Sequence, residues 1–169
     1  YEIDEGTPSV TLEATGDPTV VAWRWDLDGD GEYDDASGAT LEVDTSTLDG
    51  PTELAVGLEV EADDGRLATT TAIIRVTNVA PSFTSAPPRE ARVATPYRYQ
   101  AFAEDPGGDN DPLVFRLLDS PEGAEIDEIG RVTWTAADDS LGQAFDFIVR
   151  VNDGDEGVTD QAWQVEVRD

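Results

Sequence analysis

The stretch VAWRWDLDGDGEYDD, residues 21–35, changes character halfway along. Its first half alternates apolar with small or polar residues, which puts Val21, Trp23, Trp25 and Leu27 on one face of an extended strand. Its second half sets six acidic side chains, Asp26, Asp28, Asp30, Glu32, Asp34 and Asp35, around two glycines. A half-buried strand running into a glycine-bearing turn is the signature of an antiparallel hairpin, so this stretch predicts a β fold.

The same period of two recurs on both sides of it. In ELAVGLEVEADDG, residues 53–65, Leu54, Val56, Leu58, Val60 and Ala62 share a face, and in TTTAIIRV, residues 69–76, Thr70, Ala72, Ile74 and Val76 do. Val10 with Leu12 and Leu41 with Val43 supply shorter strands. After TNVAPSF, residues 77–83, the pattern starts again. Tyr97, Tyr99, Ala101 and Ala103 alternate, then Phe115 with Leu117, Val132 with Trp134, Phe145 through Val151, and Trp163, Val165 and Val167. Each half has its own aromatics and strands, and Pro81, Pro87 and Pro88 fall where a linker and an edge entry would place them. The reading is all-β, with two tandem β-sandwich domains over 1–79 and 80–169. No segment keeps a helical period over three turns.

Composition narrows the function. The 169 residues carry a formal charge of −28, from 38 acidic and ten basic side chains, and this field disfavours nucleic acid and anionic lipid as partners. No apolar run is long enough for a membrane helix. All the basic residues are Arg; without Lys, His or Cys there is no isopeptide crosslink, disulfide, thioester or His- or Cys-ligated metal. A hard cation held by oxygen stays open. A chain that opens on Tyr1 and lacks Met reads as a segment of a longer polypeptide. Acidity of this kind also keeps proteins of salty habitats hydrated, so solvation is the competing explanation.

The first half resembles a polycystic-kidney-disease (PKD) repeat, through VAWRWDLDGDGEYDD and through EVEADDG followed by TTTAIIRVTN. That family carries a WDFGDG-type turn, whereas WDLDGDG here adds acidic groups. The second half resembles a cadherin-like domain of the dystroglycan and bacterial putative-Ig type, through PYRYQAFAEDPGGDNDPLVFRL, GRVTWTA and FDFIVRVNDGDEGVTDQAWQVEV. The linker IRVTNVAPSF is similar to a cadherin junction at Asn78, Pro81 and Phe83 alone. The resemblances imply immunoglobulin-like and cadherin-like extracellular modules, non-catalytic, acting as spacers or in adhesion, on a secreted or cell-surface protein.

Counted from Asp26, the acidic stretch places carboxylates at positions 1, 3, 5, 7 and 9 of an EF-hand-type loop, with Gly31 at position 6. Asp26, Asp28 and Asp30 are the expected side-chain ligands, Glu32 offers its carbonyl and Asp34 binds directly or through water. Position 12 is Ser37, so the bidentate Glu of a complete loop is missing. Immunoglobulin-like topology places this loop near the linker, with Asn78, with Asp105, Asp109 and Asp111 of EDPGGDND, and with Asp153 and Asp155 of NDGDEG. Glu5, Asp63 and Asp64 are expected at the opposite end of the first domain. The expected ligand is calcium, neutralising these loops at the junction; the alternative is that each is a solvated turn.

Catalysis would have to rest on a carboxylate pair. VDTS, residues 43–46, is a three-residue match to an aspartic-protease turn without a second copy, and Asp44 reads as a strand-end residue. An accessory carbohydrate- or protein-binding module of a secreted hydrolase is the remaining alternative. Trp23, Trp25, Trp134 and Trp163 all read inward, however, and core is the simpler role. Another surface protein or a polysaccharide is the expected class of macromolecular partner.

Overall fold

A computed structural model describes residues 1–169, and it is all-β apart from two short 3-10 turns at Gly108–Asn110 and Asp138–Ser140. The chain divides into two compact units, Tyr1–Asn78 and Val79–Asp169.

Unit 1 has seven strands: β1 (Glu2–Asp4), β2 (Ser9–Glu13), β3 (Val20–Asp26), β4 (Ala36–Ser37), β5 (Thr40–Asp44), β6 (Thr52–Ala62) and β7 (Leu67–Thr77). One sheet has the order β1-β7-β6-β3-β4 and the other pairs β2 with β5. Alternate residues of both meet in a core that includes Leu12, Trp25, Val43, Val56 and Ile74. Trp25 is 2% exposed and its indole N–H donates to the Gly38 carbonyl at 2.9 Å, so its polar atom is satisfied inside the core.

Two expectations about faces need correction. Val21 is 60% exposed, because the β3–β6 register shifts between Val20 and Ala22; the extra residue turns Val21 outward while Trp23 and Trp25 keep the inner face. Thr70 is exposed as well. Its partner on β6, Leu58, is 8% exposed, so at this level the core covers β6 and stops short of Thr70 on β7.

Unit 2 has nine strands: β8 (Ser82–Phe83), β9 (Glu90–Arg92), β10 (Pro96–Gln100), β11 (Ala103–Glu104), β12 (Val114–Asp119), β13 (Glu125–Ile126), β14 (Arg131–Thr135), β15 (Ala144–Asn152) and β16 (Val158–Arg168). Its sheets are β12-β15-β16-β9 and β10-β14-β13, with β8 and β11 forming a short extra pair. Phe147 is the centre of the core: its ring stacks on Trp163 at 5.2 Å and meets Trp134 edge-on at 5.7 Å. Trp134 and Trp163 are each 4% exposed. The Tyr97 hydroxyl donates to the Pro88 carbonyl at 2.8 Å and accepts from the Trp163 indole at 3.1 Å.

Phe147→Ala is expected to cost about 3–5 kcal/mol, read from chemical denaturation of unit 2. Burial pushes the Tyr97 phenol up to about 12, outweighing the opposing effect of the Trp163 hydrogen bond. Because the folded value lies above the unfolded one, this stabilisation is complete below about pH 10 and lost as pH rises to about 12. Stability measured against pH should fall over that window, and Tyr97→Phe should flatten the fall.

Candidate metal-binding loops

In unit 1 the loop between β3 and β4 is built by carboxylates that collect backbone N–H groups. Asp26, 7% exposed at the end of β3, accepts from Gly29 at 2.7 Å on one oxygen and from Gly31 at 3.1 Å on the other. Asp28 accepts from the amide of Asp30 at 3.2 Å and Asp30 from that of Glu32 at 2.8 Å. The turn needs φ +74 at Gly29 and φ +88 at Gly31, which glycine adopts without strain.

The result gathers Asp26, Asp28 and Asp30, with one oxygen of each within 4.8 Å of the others. Oxygens on opposite sides of a calcium ion lie about 5 Å apart, so this spacing suits one hard cation, and each oxygen engaged by an N–H keeps a second lone pair. Without a counter-charge, two unit charges at this separation repel by roughly 1 kcal/mol even in bulk water. Glu32 and Asp34 are outside this group. Asp35, not singled out in the sequence, closes the loop: its carboxylate accepts from Leu27 at 2.6 Å and Asp28 at 3.2 Å, and its own amide donates to the Trp25 carbonyl.

The loop's position within unit 1 differs from the expected one. Asp26 is level with Gly57 and Thr71, so about 20 Å of β7 separates it from Thr77. Glu5, 3% exposed, is a buried acid at the Thr77 end: its amide donates to the Thr77 carbonyl, and its carboxylate accepts from Gly50 at 3.1 Å. Asp63 and Asp64 occupy the β6–β7 turn at the other end, so Glu5 does not group with them. The parallel run of β1 beside the end of β7 carries Glu5 there. Asn78 follows β7, with its backbone against Gly50 so closely that a Cβ on Gly50 would lie 2.5 Å from the Asn78 nitrogen.

In unit 2 the loops before β12 and after β15 lie at one end, because Val114 pairs with Asn152. Asp105 accepts from Gly107 at 2.9 Å on one oxygen, while the other is buried with no hydrogen-bond partner. Asp111, 2% exposed, has an oxygen within 4.8 Å of one on Asp105 and within the same distance of one on Asp155. An orphaned buried carboxylate oxygen beside a second carboxylate is costly unless a cation sits against it. Asp153, 1% exposed, organises the loop instead, accepting from Asp155 at 2.8 Å and Gly157 at 3.0 Å. Asp109 lies on the exposed 3-10 turn and joins no group. Gly107 and Gly157 are parts the sequence did not announce: a Cβ on either would lie 1.8 Å from an oxygen of Asp111 or Asp153.

Asp44 has a structural part. Its carboxylate accepts from the Ser46 hydroxyl at 2.6 Å and the Ser46 amide at 2.9 Å, and these bonds hold it below the usual carboxylate range.

The two-sheet units and their strand orders define an all-β chain of tandem immunoglobulin-like sandwiches. No protein-family model matches the chain, and no curated protein does. Among solved structures it is similar to the fibronectin(III)-like modules of Clostridium thermocellum CbhA, at 15% identity and TM-score 0.37, over 99% of this chain and 88% of that one. It is also similar to Drosophila OTK extracellular domains 3–5, at 14% identity and TM-score 0.47, over 100% of this chain and 59% of that one. Mouse clustered PcdhgC3 EC1-3 aligns at 17% identity and TM-score 0.44, over 99% of this chain and 65% of that one.

Gly107→Ala should drive the Asp111 carboxylate out of place and lower the stability of unit 2 by about 1–3 kcal/mol, measured by thermal unfolding.

Proposed function

We propose that this chain is a non-catalytic, calcium-binding tandem of β-sandwich modules from a secreted or cell-surface protein, used as a spacer or in adhesion. The observation that carries the reading is the unit 2 carboxylate pair: Asp105 has a buried oxygen without a partner, and Asp111 lies within 4.8 Å. The Asp26, Asp28 and Asp30 group adds a second set of the same chemistry in unit 1. Oxygen-only donors select a hard cation, and extracellular modules bind calcium at roughly 0.1–1 mM. Calcium would neutralise each set and lock the loop that carries it. The PKD-like and cadherin-like sequence patterns support placing the chain outside the cell. No helix of the chain is long and apolar enough to cross a membrane. The burial of Trp25, Trp134 and Trp163 in the cores favours this reading over a sugar-stacking platform.

The test is calcium titration by calorimetry of EDTA-stripped protein, with melting curves at each step. Saturable heat and a rise in Tm are expected, with about 2.7 kcal/mol of stabilisation at a hundredfold excess over Kd. Asp28→Asn should remove the unit 1 component and Asp105→Asn the unit 2 component. Absence of heat, with sodium chloride raising Tm as much as calcium chloride does, would make the carboxylates a solvation surface and overturn the proposal.

A further inference from the structure

β7 is an inner strand of its sheet only at its end. β1 pairs with it over Arg75–Thr77, and the amine of Tyr1 reaches the Ile73 carbonyl at 2.9 Å; from Leu67 to Ala72 no strand lies on that side. The Arg75 amide and the carbonyls of Ile73 and Thr77 point toward β1. Because such groups alternate along a strand, Leu67, Thr69 and Thr71 present their N–H and C=O groups on the same open edge.

This edge lacks the usual protection. Natural sheets guard an open edge with charge, proline or a very short strand, because an open edge is a template for another strand. Every other edge strand longer than two residues carries a charge: Glu2 and Asp4 on β1, Glu13 on β2, Glu42 on β5, Glu90 on β9, Arg98 on β10, Arg116 on β12. LATTTAII, residues 67–74, has none, in a chain of formal charge −28. Leu67 is 58% exposed, and Ala68, Thr69, Thr70 and Thr71 are exposed with it.

We propose that this edge pairs with the same edge of a second copy of the chain, antiparallel and centred on Thr69. In that register Thr69 faces Thr69 of the other copy and Leu67 faces Thr71, giving hydrogen-bonded rungs between the outward-pointing residues and a stripe of threonine contacts. A second copy fits better than an unrelated strand for two reasons. The run is its own complement in an antiparallel pair. The register also sets the uncharged stretch of one copy against that of the other, where two chains of formal charge −28 approach with least repulsion; Arg75 and Asp64 take no part, being paired within the chain with Glu53 and Arg66. Away from this edge the copies repel, so pairing strengthens as salt screens them.

Sedimentation velocity across a concentration series at moderate salt is the test. A reversible species of twice the 18.2 kDa chain mass is expected. Thr69→Asp and Thr69→Lys each place like charges opposite one another, so each variant alone should be monomeric, while an equimolar mixture of the two should recover the dimer. Recovery in the mixture cannot come from misfolded variants. Because the chain has no cysteine, Thr69→Cys gives an independent reading: mild oxidation should crosslink it efficiently and Thr71→Cys poorly. A monomer at every concentration, or a dimer that survives both charged variants, overturns the proposal.

Discussion

A buried or crowded carboxylate in this chain must be met by an N–H, a guanidinium or a cation, because too few positive side chains are available to neutralise it. Much of the loop structure follows from that constraint. Asp26, Asp28, Asp30, Asp35, Asp105 and Asp153 each take one or two backbone amides, which turns electrostatic need into loop shape. On the strands the few arginines serve the same end: Arg24 bridges Glu59 and Glu61 across the β3–β6 pair, and Arg150 holds Asp160 across the β15–β16 pair. The exposed Arg150–Asp160 pair contributes little stability by itself and the Arg24 pairs are half-buried, but all relieve like-charge repulsion where acids line a strand face.

The cores supply the rigid frame for those loops. In unit 1, Trp25 is locked in the core one residue before Asp26, so the start of the acidic loop is anchored by a buried indole. In unit 2, β15 is buried at Val149 and at Val151, two residues before Asp153, and its pairing with β12 sets the two acidic loops side by side. Geometry of this kind is held by strand ends rather than by free loop, which reduces the ordering cost an ion would otherwise have to offset.

The strand set was legible because burial on one face writes a period of two into the sequence, and Trp25, Ile74, Phe147 and Val165 are all buried as that period requires. Val21 escaped because a bulge is a one-residue register event that alternation cannot announce, and Thr70 because how far the core extends across the sheet is a tertiary fact. The Asp26, Asp28 and Asp30 set was legible from its spacing. Asp35 was not, since its part depends on a hairpin folding it back onto Leu27 and Asp28. Glu5 was misplaced because nothing local shows that β1 runs parallel to the end of β7. Gly107 and Gly157 carry no motif; only the approach of Asp111 and Asp153 reveals why a side chain is excluded there.

Amide chemical shifts followed by NMR during a calcium titration test the central claim, that the loop carboxylates hold a cation, most directly. The amides of Gly29 and Gly31 in unit 1 and of Gly107 in unit 2 donate to the carboxylates in question, so they should move in a saturable way with calcium. Those in the middle of β6 and β15 should stay still. Shifts that follow ionic strength alone, equal for calcium and sodium and spread over the acidic surface, would contradict it.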